Sequence, residues 1–400
     1  MSGLAEGRRA VPLSVARSAA RLAVALAALL LGGAIASAGE DRLARIVDDA
    51  VRPLMAEHDV PGMAVGIAVG GQRRVFSYGV ASKADGREVT ADTLFEIGSV
   101  SKTFTATLGA YAEERGVLAL SDMAARRLPA LAGTSFDGVS LLDLATYAAG
   151  GLPLQVPRGL DSADDVVRFC RSWRPDFPPG ERRLYSNVSI GLFGHIVARS
   201  LGRPFDGAMP ELVFAPLGLT RTYLHVPAAR MGDYAMGYAR DGSAVRVTPG
   251  AFDDEAYGAK TTAADLLRFV AANMDGAELD DGLRRAIEVT HRGRFRVGGM
   301  IQGLGWEMVE APVTLKRLQA ANASAMIFDP QPAERLDPPQ APQPGALLGK
   351  TGSTNGFGAY AAFVPSRGVG IVLLANRNYP ISARIAAAHR ILRELGAVAH

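Results

Sequence analysis

The sequence predicts an α+β fold, a sandwich in which an antiparallel sheet drawn from both chain ends is flanked by helices and a mostly helical domain is inserted between them. Three observations carry this expectation. Met63 to Val69, a Gly70-Gly71 turn and Arg74 to Val80 read as a hairpin near the N-terminus. Phe357 to Val364 and Val369 to Leu374, joined by Pro365-Ser366-Arg367-Gly368, read as a second hairpin near the C-terminus. Between them the chain from about Arg115 to Tyr238 shows helix and loop, punctuated by Gly150-Gly151, Pro153, Pro157 and the stretch Pro175 to Gly180. The boundaries that follow are 39–114 with 238–400 for the sheet-containing domain and 115–237 for the helical one, with a site in the cleft between them.

Each further element follows from local pattern. Asp41 to His58 places Leu43, Ile46, Val47, Val51 and Leu54 on one helical stripe. Ser99 opens a helix running to about Arg115, and Ser382 to Leu395 forms a closing amphipathic helix. Asp329 to Gly345 (DPQPAERLDPPQAPQPG) is rich in proline and reads as a surface loop, ordered or mobile, rather than as an element.

The N-terminus reads as a secretory signal peptide over residues 1–38. Arg17 and Arg21 flank the apolar run Leu22 to Leu31, and Ala36-Ser37-Ala38 supplies a small-x-small cleavage site. Ten apolar residues make about 15 Å of helix, too short for a hydrocarbon core of about 30 Å. Export to the periplasm with no stable membrane anchor is therefore expected. The leader also holds the basic excess: four arginines against Glu6. The 43 Lys and Arg less four, and the 40 Asp and Glu less one, both leave 39 in the mature chain. A balance near zero gives no ground for nucleic-acid binding.

Cys170 is the single cysteine, which excludes an internal disulfide and reads as a small core residue. Six scattered histidines show no ligand spacing, so neither a metal nor another cofactor is expected.

The chemistry lies elsewhere. Lysine is scarce, at positions 83, 102, 260, 316 and 350, and unlike arginine it can lose its proton near neutral pH. Ser99 and Lys102 are three residues apart on one helix, so their side chains meet; Gly98 lets the backbone turn tightly before them. A serine hydroxyl needs a base, and a buried lysine with a lowered pKa can be that base. Tyr185-Ser186-Asn187 adds a phenol that would shuttle protons if held between ammonium groups, and an amide with both a donor and an acceptor. Gly349-Lys350-Thr351-Gly352-Ser353 reads as an edge strand able to pair with a substrate amide, with Lys350 and Thr351 holding a carboxylate. The N–H groups of Ser99 and Ser353 would together form an oxyanion hole. Each motif has a bland reading as cap, loop or turn, but the three in this order are improbable by chance, and Ser-x-x-Lys followed by Lys-Thr-Gly resembles the signature of serine β-lactamases and penicillin-binding proteins.

The chain resembles one family within that class, the class C β-lactamases (cephalosporinases), over nearly its whole mature length. The resemblance lies in Phe95 to Lys102 (FEIGSVSK), Leu144 to Tyr147 (LATY), Gly150 to Pro157 (GGLPLQVP), Arg183 to Asn187 (RLYSN), Glu255 to Lys260 (EAYGAK), Gln302 to Met308 (QGLGWEM) and Leu374 to Pro380 (LANRNYP). It implies an acylated nucleophile at Ser99, activated by Lys102 and Tyr185, which also activate the hydrolytic water. It implies that Gln155 and Asn187 contact the amide side chain of a small-molecule β-lactam and that Tyr257 walls its pocket. Lys350, Thr351 and Gly352 would hold the carboxylate side, with Arg384 behind them. Tyr147, Trp306 and Tyr379 read as core packing. One departure stands out: many members carry asparagine where this chain has Ile381, which cannot donate a hydrogen bond, so Thr351 and Arg384 would carry more of the carboxylate recognition. Tyr-Ser-Asn in place of Ser-Asp-Asn argues against class A. A D-alanyl-D-alanine carboxypeptidase, a related esterase and a penicillin-sensing domain share the scaffold and stay open as alternatives. A monomer is expected.

Overall fold

A computed structural model of the chain describes residues 41–399, so the expected leader and its cleavage site lie outside the described residues. Residues 41–57 are helical (α1). The centre of the fold is a nine-stranded sheet of β1 (Gly62–Val69), β2 (Gln72–Gly79), β3 (Gly293–Val297), β4 (Met300–Gln302), β5 (Glu307–Val309), β6 (Glu334–Gln340), β7 (Leu347–Ser353), β8 (Gly358–Val364) and β9 (Val369–Ala375). The spatial order is β6-β3-β4-β5-β7-β8-β9-β1-β2, and every pairing is antiparallel. The N-terminal hairpin joins the C-terminal one through β1 and β9, with Met63 opposite Ala375 and Ala68 opposite Gly370. A sheet of both chain ends, flanked by helices, is therefore what forms.

Sequence explains position within the sheet. β8 (GAYAAFV) and β9 (VGIVLLA) are apolar without alternation and buried at every residue, as strands covered on both faces must be. β2 (QRRVFSYG) is largely exposed and closes one edge, where its arginines discourage pairing with another chain.

The other edge overturns an expectation. The proline-rich stretch read as a loop contains β6, paired with β3, and Gln331–Pro332, paired with Arg182–Arg183. Proline removes a ladder donor, but an edge strand has one side with no ladder to lose, and a register shift between Arg335 and Gln340 takes up the irregular part around Pro338 and Pro339. The short strands β3, β4 and β5 also went unforeseen; at five residues or fewer around the Gly298-Gly299 turn, their alternation is too brief to read.

The helices that matter to the site are α2 (Ser101–Glu114), α3 (Ala163–Ser172), α4 (Asn187–Ser200), α5 (Ala263–Met274), α6 (Asp281–Thr290), α7 (Leu315–Ala321) and α8 (Ile381–Glu394). None among the described residues is long and apolar enough to cross a membrane. Helix α2 is buried at eleven positions from Ser101 to Ala112 and packs against α4 and α6, while α5 and α8 pack on β9. Trp306 is fully buried between Phe269 and Phe363, with ring centroids 5.9 and 5.0 Å away. Tyr147 and Tyr379 are buried as well, so all three aromatic residues pack in the core as expected. Cys170 is buried in α3, and burial alone pushes its thiol up to about 12.

One backbone contact places the nucleophile motif against the sheet. Gly98 adopts φ +50° at the head of a 3₁₀ turn, Gly98–Val100, that runs into α2. A Cβ on Gly98 would lie 2.6 Å from both N and O of Ser353, and one on Gly352 would lie 1.9 Å from the carbonyl oxygen of Ile97. The turn and β7 thus meet main chain to main chain, which only glycine permits on either side. We expect Gly352→Ala to force the two apart, lowering stability by about 1–3 kcal/mol in denaturant unfolding and reducing turnover more than 10-fold.

Candidate active site

The 3₁₀ turn presents Ser99 at the mouth of a cleft of about 710 Å³. The cleft is lined by Ser99, Gln155, Tyr185, Asn187 and Tyr257, by the β7 residues Lys350 to Ser353, and by Glu307, Arg183, Asn378 and Ile381. Residues from distant stretches of the chain therefore converge on one hydroxyl.

Lys102, in the first turn of α2, is fully buried. Its Nζ donates to Ser99 Oγ at 2.9 Å, to Asn187 Oδ1 at 2.7 Å and to the carbonyl of Ala256 at 2.7 Å. Three donors meet three acceptors, which is what a buried ammonium requires. Burial still pulls it down to about 8, a drop reinforced by the positive charge of Lys350 and opposed by Tyr185 and Glu307.

Tyr185 enters from the segment before α4. Leu184 N–H donates to Tyr147 C=O, and Asn187 N–H donates to Leu154 C=O. Ser186 caps α4 by accepting from Ser189 N–H at 2.9 Å and donates its hydroxyl to Pro153 C=O at 2.6 Å. The middle residue of the motif thus builds the helix start, while its neighbours face the cleft. The Tyr185 phenol is buried and interacts with Ser99 and Lys102. Lys102 Nζ sits 5.1 Å and Lys350 Nζ 4.8 Å from its ring centroid. Burial pushes this phenol up, the two ammonium charges pull it down, and the charges win: it lies below the usual phenol range.

Asn187 spends its carbonyl on Lys102 and its amide on Gln155, whose Oε1 accepts at 2.8 Å. Gln155 itself is exposed at the mouth. β7 pairs with β5 only from Leu347 to Gly349, so no strand covers Lys350 to Ser353 on that side. Those residues form an open edge facing the cleft, while β8 covers the other side.

Arg384 is placed differently. It is fully buried, does not line the cleft, and donates to Gly352 C=O at 2.6 Å, Ala359 C=O at 2.9 Å, Ser353 Oγ at 3.3 Å and Tyr379 C=O at 2.8 Å. It braces β7 from behind. Ile381 does line the cleft, beside Asn378, whose Oδ1 accepts from Arg384 at 3.5 Å.

Two functional residues escaped sequence reasoning as individuals. Glu307 on β5 accepts from Lys350 Nζ at 3.2 Å and from Arg183 at 3.0 Å. Arg183 is buried and also donates to Gln302 Oε1 at 2.8 Å and Met326 C=O at 2.6 Å. Burial alone would depress Lys350, but Glu307 and Tyr185 outweigh it and hold its pKa above the usual lysine value. The available clue was a lone acid in the apolar run GLGWEMV, which demands a cation when buried. Among the described residues no cluster of three or more His, Cys, Asp or Glu is arranged to hold a metal ion.

A hydroxyl, a lysine titrating near 8, a phenol between two ammonium groups and an open strand edge are the parts of a nucleophilic acyl-transfer site. The comparisons agree with that chemistry. The beta-lactamase family model matches residues 47–395. A beta-lactamase of Pseudomonas fluorescens is 51% identical over 348 residues, 87% of this chain and 97% of the relative. A class C beta-lactamase solved in complex with cefoxitin is 41% identical with a TM-score of 0.86, over 89% of this chain and 99% of that one. A D-alanine carboxypeptidase from Burkholderia cenocepacia is 49% identical with a TM-score of 0.85, over 89% and 99%. On the extent of these matches, the chain belongs to the beta-lactamase family, with class C enzymes as its structural neighbours.

Proposed function

We propose that this protein hydrolyses the amide of cephalosporins and penicillins through an acyl-enzyme on Ser99, and so confers resistance to these antibiotics. The observation that carries the reading is Lys102 Nζ, 2.9 Å from Ser99 Oγ and shared with Asn187 and Ala256, beside a buried phenol that interacts with both Ser99 and Lys102.

Ser99 Oγ attacks the lactam carbonyl as its proton passes to Lys102 or Tyr185. The oxyanion rests on the N–H groups of Ser99 and Ser353, a pairing supported by the contact of Gly98 with Ser353. The C–N bond breaks as Tyr185 returns a proton to the nitrogen, leaving an ester on Ser99. A water then loses its proton to the same pair and attacks the ester carbonyl; the C–Oγ bond breaks as that proton passes to Ser99 Oγ, releasing the opened product as a carboxylic acid. Lys350 and Thr351 hold the substrate carboxylate. With Arg384 committed to β7 and Ile381 without a donor, little else on that side does so, and Arg384 contributes by fixing Gly352 and Ser353. Gln155 and Asn187 meet the acyl amide, and Tyr257 forms its wall. The enzyme works as an exported monomer, freed of residues 1–38 in the periplasm.

A second reading, peptide hydrolysis at a terminal D-alanine, is favoured by the carboxypeptidase neighbour at 49% identity. The same acylation serves both, and deacylation separates them. Purified residues 39–400 should turn over a chromogenic cephalosporin many times per molecule. A single stoichiometric burst without turnover overturns the proposal in favour of a slow peptidase or a sensor. Ser99→Ala should lower kcat by at least about 10³-fold and abolish the acyl adduct seen by intact-protein mass spectrometry.

Proton linkage supplies a further expectation. Neutral Lys102 is the base, so kcat/KM should rise as pH climbs toward about 8. The unfolded chain binds this proton up to about 10.5, the folded chain only to about 8. Between those values the unfolded state holds more protons, so the folded state gains stability as pH rises. The cost of burying the ammonium is present in full below 8. In chemical denaturation from pH 8 to 10, wild type should therefore gain on Lys102→Met, which lacks the titrating group.

A further inference from the structure

The cleft has one wall, residues 245–248, that lies near the surface and carries no regular structure beyond Val245. A two-residue ladder, Gly237–Tyr238 with Ala244–Val245, brings it into place. Beyond the ladder its attachments converge on one corner. Arg246 lays its guanidinium over the Tyr234 ring, 4.0 Å from the centroid, and donates to Ala235 C=O at 3.1 Å and to Tyr234 C=O. Val247 N–H donates to Glu96 Oε1 at 2.8 Å, and the Tyr234 hydroxyl donates to the same oxygen. Among the described residues, no hydrogen bond holds Thr248 or Pro249, and the next is Asp253 N–H on Gly250 C=O. The wall runs on toward Tyr257: a Cβ on Gly250 would lie 3.9 Å from the Tyr257 hydroxyl.

Glu96 is 2% exposed and makes no ion pair among the described residues; its Oε2 is buried without a partner. Burying a carboxylate is costly; the charges of Arg246 and Lys260 act on it from beyond ion-pair distance, and its direct hydrogen bonds come from Tyr234 and Val247. It sits on the strand Phe95–Glu96, paired with Lys260–Thr261, two residues ahead of Gly98. The same side chain therefore ties the strand that delivers the nucleophile to the wall beside Tyr257.

We propose that Glu96 is a positioning residue that pins the 245–248 wall through Val247 and thereby sets how bulky an acyl side chain the cleft admits. The inference rests on the hydrolytic reading above and adds to it the residue that sets acyl-side selectivity. Without the carboxylate, Val247 N–H and the Tyr234 hydroxyl lose their shared acceptor, and the wall is held only by the ladder at Val245 and by Arg246.

The test uses two cephalosporins identical except for the acyl group, one acetyl and one a branched arylacyl, with hydrogen exchange of the 244–250 peptide measured on the same full-length preparations. Glu96→Ala should speed exchange there at least 10-fold and reduce the preference for the acetyl substrate, as a ratio of kcat/KM values, at least 5-fold, chiefly through KM of the bulky one. Glu96→Gln keeps a carbonyl acceptor for Val247 N–H and should stay within about 2-fold of wild type. Val247→Pro deletes the donor from the exposed side and reproduces the change should Glu96→Ala not fold. An unchanged ratio overturns the proposal, as does an equal loss of kcat on both substrates, which would place the role of Glu96 at the nucleophile turn. If wild type turns over neither cephalosporin, the hydrolytic reading falls, and unchanged exchange in both Glu96→Ala and Val247→Pro would overturn the tether separately.

Discussion

A primary amine held fully out of water is the constraint on which the site depends. Desolvation alone makes the Lys102 ammonium expensive, and that cost is tolerable only because three oxygens from three separate stretches meet it: Ser99, Asn187 and the carbonyl of Ala256. The requirement reaches outward. Asn187 must stand at the start of α4, so Ser186 caps that helix; the 253–256 turn must hold Ala256 at the right height, and Thr105 on α2 secures it by donating to Glu255 C=O at 2.6 Å. Much of what looks like local packing between α2, α4 and this turn is the solvation shell of one nitrogen, rebuilt from protein.

Such a shell can be complete in hydrogen bonds and still leave the proton loosely held. The nearby charges are two ammonium groups and a guanidinium against the single carboxylate of Glu307. Burial is the main cause of the lowered Lys102, with Lys350 adding to it; the two ammonium charges lower Tyr185 against its own burial, and Glu307 holds Lys350 above the usual lysine range. Chemically similar lysines are thereby set apart by their surroundings: burial lowers one to about 8, while a carboxylate and a phenol hold the other above the usual lysine value.

What could be read in the sequence divides along physical lines. Ser99 and Lys102 were legible because helical geometry alone brings i and i+3 together, and the outer hairpins because long apolar strands and their turns are local patterns. Convergence of Tyr185 and Lys350 on that pair was legible only through motif order and resemblance, since no local rule connects residues 102, 185 and 350. Glu307 and Arg183 were named only inside quoted runs. Their contacts join stretches far apart in the chain, and an isolated acid or arginine carries no mark of its partner. The edge strand β6 hid behind its prolines, because composition predicts whether a ladder can propagate on both sides and is silent where only one side is needed.

These differences in origin separate chemistry from selectivity. The reacting groups sit on parts that cannot shift without a backbone clash: Gly98 against Ser353, Gly352 against Ile97, and Arg384 bolted to the carbonyls of Gly352 and Ala359. Two stretches of the cleft lining lie at the surface, Val245 to Thr248 and the short helix Ala325–Phe328, where Phe328 is 64% exposed. A fold built this way lets side chains on its rim vary while the lysine shell stays fixed, because the two are coupled at few points. Ile381 illustrates the arrangement: it lines the rim and makes none of the hydrogen bonds that hold Lys102.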